Sequence, residues 1–159
     1  VASIRDQILG VLVAHLKTLP NWTAQLRSLR NLGAEYQRRA IVFLIGEQKQ
    51  FANQVLYACT LQVRVLVSVH SEDADADIDA TDDEPQGDAY RYLDRCVVEL
   101  EAAVADPEIA WPDGFSELLI DGHDQADPTG DNEVEAVLRL TITYRHNVDD
   151  PSTYAPSYE

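Results

Sequence analysis

The stretch from Val55 to Val69 constrains this chain more than any other. Val55, Tyr57, Cys59, Leu61, Val63, Val65, Val67 and Val69 take every odd position, while Leu56, Ala58, Thr60, Gln62, Arg64, Leu66 and Ser68 share the even ones. Successive side chains of a β-strand point to opposite faces, so alternation this long predicts a strand with one buried face. Fifteen residues at about 3.3 Å each reach roughly 50 Å. That is long for a strand of a small domain, so the strand is expected to bend or to run past the core.

Other elements fall around this ladder. Residues 3–19 have the pattern of an amphipathic helix: Ser3 is placed to cap it and Asp6 lies in its first turn. Ile4, Ile8, Val11, Leu12, His15 and Leu19 recur at helical spacing, and Leu19-Pro20 ends it. A weak strand is expected from Trp22 to Arg30, a turn near Asn31-Leu32-Gly33, and a strong strand from Ala40 to Ile45 that stops at Gly46. A second helix is expected from Asp88 to about Ala105, with Ala89, Leu93, Cys96, Val97, Leu100 and Val104 inward and Asp106-Pro107 as its stop. Two further strands are expected at 115–122 and 134–146, joined by a turn-rich segment from Asp124 to Asn132. Val134, Ala136, Leu138, Leu140, Ile142 and Tyr144 share one face of the last strand. Strands that cluster rather than alternate singly with helices favour an α+β fold, a mostly antiparallel sheet packed against two helices. The expected domain is 1–146, with an acidic loop at 71–88 and an extended C-terminal arm at 147–159.

Charge divides the chain. Residues 1–70 hold eight Lys/Arg against three Asp/Glu, a net of +5, and residues 71–159 hold four against 25, a net of −21; the two give the total of −16. A chain this acidic repels duplex DNA, whose recognition needs clustered Lys and Arg. No apolar run approaches the roughly 18–20 residues that span a bilayer, and no signal peptide is visible at Val1-Ala2-Ser3-Ile4-Arg5-Asp6. Cys59 and Cys96 lie in apolar periodic stretches without a CxxC partner, and are expected to be reduced core residues.

The patterns that could carry chemistry are incomplete. Asp73, Asp75, Asp77, Asp79, Thr81 and Glu84 follow calcium-loop spacing, yet Ile78 occupies the position where the sharp turn needs Gly, and a strand leads in where a helix belongs. A solvated acidic loop is the better reading. Glu47-x-Lys49 after an apolar strand matches the end of a metal-dependent nuclease motif, but only Glu35 precedes it as a further acid. His15, His70, His123 and His146 are scattered, and no nucleophile motif or phosphate-cradling loop accompanies them. Asp121, Asp124, Asp127 and Asp131 are the carboxylates a small metal-dependent enzyme would use, and that is the alternative from a different functional class. Arg27, Arg30, Arg38 and Arg39 make a modest basic patch suited to a neighbouring acidic surface. Tyr154 and Tyr158, with Tyr144 before them, are candidate interface anchors.

Ile4-Arg5-Asp6-Gln7-Ile8-Leu9, a helix that ends at Leu-Pro, resembles the start of the tail-terminator (tail-completion) proteins of long-tailed phages. So do the long alternating strand, Ala89-Tyr90-x-Tyr92-Leu93, and the closing Tyr144-Arg145-His146-Asn147-x-Asp149-Asp150-Pro151. The resemblance covers nearly the whole chain in element order and is loose in motif. It implies a virion protein of the tail and neck region, made in the host cytoplasm: a homo-hexameric ring that caps the tail tube, joins it to the head connector or stopper protein, and lets DNA pass. It implies no enzyme activity, no cofactor, no metal, no membrane and no catalytic residue. Within such a ring, some acids of Ser71–Asp88, or those after Asp121, are expected to face the channel, where like charge keeps DNA from sticking. A basic first half and an acidic second half are expected to complement each other head to tail. Another head–tail connector or neck protein is the nearest alternative.

Overall fold

The computed structural model describes residues 2–20, 22–26, 38–70, 88–130 and 133–155. The order of elements is α1 (Ile4–Leu16), β1 (Trp22–Leu26), β2 (Arg38–Phe51), β3 (Leu56–His70), α2 (Asp88–Val104), β4 (Phe115–Gly130) and β5 (Glu133–Asn147). The strands form one sheet in the order β1-β2-β3-β5-β4. Among the described strands only β1 and β2 run parallel. The chain is therefore an α+β protein with a mostly antiparallel open sheet and two helices.

The alternating ladder lies at the heart of the sheet. β3 pairs with β5 over its whole length, Leu56 opposite Asn147 and His70 opposite Glu133. The register sets odd residues of β3 against even residues of β5: Val63 meets Leu140, Val65 meets Leu138, and Val67 meets Ala136. From Cys59 to Val69 the odd positions of β3 are buried, and so are the even positions of β5 from Val134 to Tyr144. Both helices pack on this face and share one core with it. At its first residues β3 departs from strict alternation. Leu56 is buried and Tyr57 only half-buried, where Val148 N–H donates to Val55 C=O and the end of β5 closes over the start of β3.

Helix α1 starts as the sequence implies, with Asp6 N–H donating to Ser3 Oγ (3.2 Å). It ends at Leu16, three residues before the expected stop. Its buried residues are Ile4, Ile8, Leu9, Leu12, Val13 and Leu16, so Val11, His15 and Leu19 sit at the margin of the stripe. The reason is that α1 touches the sheet and α2 at once, which widens the buried arc. In α2 the expected Leu93, Cys96, Val97, Leu100 and Val104 are all buried. Glu99 then ties this helix to the sheet: it accepts from Trp22 Nε1 (3.0 Å) and from Arg38 Nη1 (3.1 Å).

Two strands are longer than expected, for one physical reason. β2 continues through Gly46 to Phe51, with a register shift between Leu44 and Gly46. Before it, Ala40 and Val42 face Val67 and Val65 on the core side; after it, Glu47, Lys49 and Phe51 face Leu61, Cys59 and Tyr57 on that same side. A bulge adds one residue and resets the parity of the strand, so an apolar-alternation reading stops where the strand does not. β4 has three such shifts, after Phe115, Ile120 and Ala126, and runs to Gly130 through the segment expected as a turn. Of the expected acidic loop at 71–88, residues 71–87 lie outside the described residues, as do Arg27, Arg30, the turn at Asn31–Gly33, Glu35, Asp131 and Tyr158.

The C-terminal segment also departs from expectation as far as it is described. Residues 148–155 fold back on the domain instead of leaving it as an arm. Asn147 N–H donates to Thr153 C=O (2.8 Å), Ile4 N–H at the start of α1 donates to Pro151 C=O (2.9 Å), and Ala155 N–H donates to Asn147 Oδ1 (3.1 Å). The N-terminal amides of a helix lack internal acceptors, and this turn supplies one.

Glycine chemistry gives a direct check. Gly114 has φ +95°, and a Cβ there would sit 2.5 Å from Arg145 C=O, while Gly10 on α1 has nothing within 4 Å. Gly114→Ala is expected to destabilise the fold by on the order of 2–4 kcal/mol through strain and overlap. Gly10→Ala is expected to stabilise it by about 0.5–1 kcal/mol. Urea unfolding of the two variants measures both signs.

Candidate functional site

Among the described residues, Asp121, Asp124, His15 and His123 do not converge on one site. Asp121 accepts from Thr141 Oγ1 (2.6 Å), and Asp124 lies 3.2 Å from Arg139 Nε as an ion pair without hydrogen-bond alignment. Each carboxylate is thus matched to a neighbour on β5. Among the described residues, no group of three or more His, Cys, Asp and Glu side chains is placed to hold a metal ion. His15 faces Asp106 (3.6 Å) and His123 faces Glu101 on α2 (3.5 Å). His123 reaches α2 because the shift after Ile120 turns it to the helix side, opposite Leu138. Cys59 and Cys96 are buried free thiols. Arg39 donates to Ser68 Oγ (2.8 Å). Tyr154 packs against the core and Tyr144 is buried within it, so neither is a free anchor.

One grouping is richer than the sequence suggested. The parity change in β2 brings Glu47 and Lys49 to the core-side face at one end of the sheet, beside Cys59 on β3 and Tyr144 and His146 on β5. Tyr144 O–H donates to Glu47 Oε2 (3.1 Å). Arg5 Nη1 on α1 lies 3.6 Å from that oxygen, and Lys49 Nζ lies 3.3 Å from Oε1. His146 is 2 % exposed. Its Nδ1 donates to Asn147 C=O (2.6 Å), since a carbonyl can only accept, so Nε2 is left to accept from Lys49 Nζ (2.8 Å). The Phe51 ring stacks on Tyr57 (4.7 Å), and Lys49 Nζ lies 5.8 Å from the Tyr57 ring centre. Burial pushes both the Cys59 thiol and the Tyr144 phenol above their ordinary values, with Glu47 adding in the same direction. Both groups are therefore held in their neutral forms. The cluster joins α1, β2, β3 and β5 through groups that satisfy one another. That is the arrangement of a clamp rather than of a poised nucleophile. The sequence named Glu47-x-Lys49, Cys59, Tyr144 and His146 separately; pairing across strands is what makes them neighbours.

The chain matches no protein-family model and no curated protein. Among the described residues, no helix is long and apolar enough to cross a membrane.

Exposed apolar side chains mark the surface. Among the described residues the large ones are Ile45 (57 %), Phe51 (66 %), Val98 (63 %) and Leu119 (48 %). Three of these four sit on the strands that flank the central pair: Ile45 and Phe51 on β2, Leu119 on β4. Strand β1 covers β2 only from Arg38 to Val42, and β4 ends the sheet on the other side. Among the described residues, no strand lies beside Leu44–Phe51 away from β3, nor beside β4 away from β5. The face of the sheet opposite the helices carries half-buried Ile41, Leu66 and Val137 in one row. Its arginines Arg39, Arg64, Arg139 and Arg145 are balanced by Glu117, Asp121, Asp124 and Glu135. That balance gives it no strong attraction for phosphate.

Two substitutions separate these features. Tyr144→Phe removes one partner of Glu47 in a mostly buried position and is expected to cost about 1–2 kcal/mol in urea unfolding, with no change in fold by circular dichroism. Asp150 accepts from Ser152 Oγ (2.6 Å) and Ser152 N–H (3.0 Å), which holds its carboxyl below the ordinary value of 3.8. A depressed carboxylate stabilises the fold above its unfolded value, and that contribution is lost as pH falls through the folded one. Asp150→Ala is thus expected to lower the melting temperature at pH 7, with the gap to wild type closing as pH falls below about 4.

Proposed function

We propose that this chain is a structural subunit that assembles with copies of itself into a ring, capping a tail tube and joining it to a head connector while DNA passes through. The reading rests on its resemblance in sequence to phage tail terminators. The observation that carries the physical part is the open sheet: among the described residues its β4 edge is long and shows Leu119 to water, and β2 near the other side shows Ile45 and Phe51. A closed domain that works alone hides or blunts such edges. A ring subunit needs two unlike surfaces, one for the neighbour on each side. The polar cluster supports the same reading, because it stiffens the end of the sheet and leaves its members engaged with one another.

In this reading the chain acts by holding surfaces in register. Its partners are further copies, the tail-tube protein and the connector or stopper. DNA crosses the lumen without specific contacts, since an overall charge of −16 disfavours phosphate. Light scattering after size exclusion is expected to give a hexamer, and electron microscopy with tail-tube protein is expected to show rings at tube ends. A monomer that leaves tubes bare would overturn the proposal, and an oligomer that leaves them bare would move the chain to another place in the neck.

A further inference from the structure

The polar cluster at the end of the sheet has one member whose part in it depends on a single proton. We propose that His146 is an acid-sensitive latch: its protonation expels Lys49 from the cluster and loosens the end of the β2–β3 hairpin against β5 and the C-terminal turn. This goes beyond the self-assembly reading and does not depend on it.

The latch follows from how the ring is held. His146 is 2 % exposed, and both of its nitrogens are engaged. Nδ1 donates to Asn147 C=O (2.6 Å), and Nε2 accepts from Lys49 Nζ (2.8 Å). An ammonium has only protons to give, so Nε2 must keep its lone pair for the contact to exist. The neutral ring is therefore built into the cluster. Protonation places an N–H on Nε2, and two donors of like charge then face each other at hydrogen-bond distance.

The groups around the ring decide which side yields. They are Glu47 and Lys49 on β2, Tyr57 and Cys59 on β3, Tyr144 on β5, Arg5 with its neighbour Asp6 on α1, and Asp150 in the C-terminal turn. Tyr57 and Tyr144 offer ring faces, with centroids 5.4 and 6.0 Å from that of His146. Asp150 accepts both hydrogen bonds of Ser152 on one oxygen. Glu47 is matched on both oxygens, by Tyr144 and Arg5 at Oε2 and by Lys49 at Oε1. To serve an imidazolium, Glu47 has to give up a partner. Lys49 is the one with somewhere to go, since its side chain is 38 % exposed while that of Glu47 is 10 %.

Lys49 bridges β2 to β5 across the intervening β3, so its departure removes a tie between strands that do not pair. It also withdraws the ammonium from the Tyr57 ring, 5.8 Å away. On the other side of the imidazole, Asn147 N–H donates to Thr153 C=O, Asn147 Oδ1 accepts from Ala155 N–H, and Pro151 C=O holds Ile4 N–H. A displaced ring thus reaches the hairpin, the C-terminal turn and the start of α1. The clamp needs the neutral ring, so its contribution is whole above the range, about pH 5–8, in which imidazoles change charge, and is lost as pH falls through it. His15 and His123 face Asp106 (3.6 Å) and Glu101 (3.5 Å) and gain from protonation, the opposite sign.

Thermal melts at pH 8 and pH 5.5 test the latch in the full chain, with His146→Gln as the reference. Gln keeps an amide donor and acceptor but takes up no proton, and His15, His123 and the surface charge are common to both proteins. Relative to His146→Gln, the wild-type melting temperature is expected to fall by about 3–6 °C between the two pH values, the loss of one hydrogen bond to a charged group in a chain of this size. Parallel behaviour would overturn the proposal. If His146→Gln does not fold, Lys49→Met is the reference: it keeps the stem, removes the ammonium and frees Glu47 for the imidazolium, so the same relative fall is expected and parallel melts again count against the latch. In the unmutated protein, NMR titration reads the contact directly. The Lys49 Cε and Nζ signals are expected to move with the midpoint of the His146 ring protons. A ring that stays neutral down to pH 5.5, or one that titrates while Lys49 does not move, would sink the proposal.

Discussion

The pairing of β3 with β5 organises everything else in this protein. Each strand contributes one unbroken apolar face, and the register puts those faces on the same side of the sheet over fifteen residue pairs. Complete burial of one Val or Leu side chain is worth about 1.5–3 kcal/mol, while an exposed ion pair is worth about 0–1 kcal/mol. The ladder therefore outweighs the surface charges of this acidic chain. It also fixes where the helices go, because α1 and α2 can bury their apolar stripes only against that one face.

From this follows the asymmetry of the sheet. The centre is dry and regular, whereas β2 and β4 on either side of it carry bulges, and the polar and apolar groups of functional interest gather there. A bulge turns side chains over without breaking the strand. In β2 it sends Glu47 and Lys49 to the core-side face, where Tyr144, His146 and Arg5 meet them. In β4 it turns His123 toward Glu101 and Gln125 toward Asp94 on α2. The irregularities thus stitch the edges to the helices, and leave Ile45, Phe51 and Leu119 facing water.

The elements with strong local signals were legible in the sequence: the odd ladder, the even ladder of β5, the N-terminal cap and the α2 stripe. Each depends on periodicity within one segment, which a single chain states openly. The far halves of β2 and β4 were not legible, because a parity change has the same appearance as the end of a strand. The fold-back at 148–155 was hidden too. It depends on Asn147 and Pro151 finding partners in Thr153 and Ile4, and nothing in the spacing of those residues announces it.

The sequence by itself determined which faces are apolar, and therefore that a sheet with one buried face must form and collect two helices. It also determined the division of charge, since composition does not depend on folding. Only the tertiary structure decided which strands end the sheet and which side chains the bulges turn over. It alone decided that separate residues such as Glu47, Tyr144 and His146 become neighbours. Those outcomes come from pairing between distant segments, and strand register is a property of two strands together that neither carries alone.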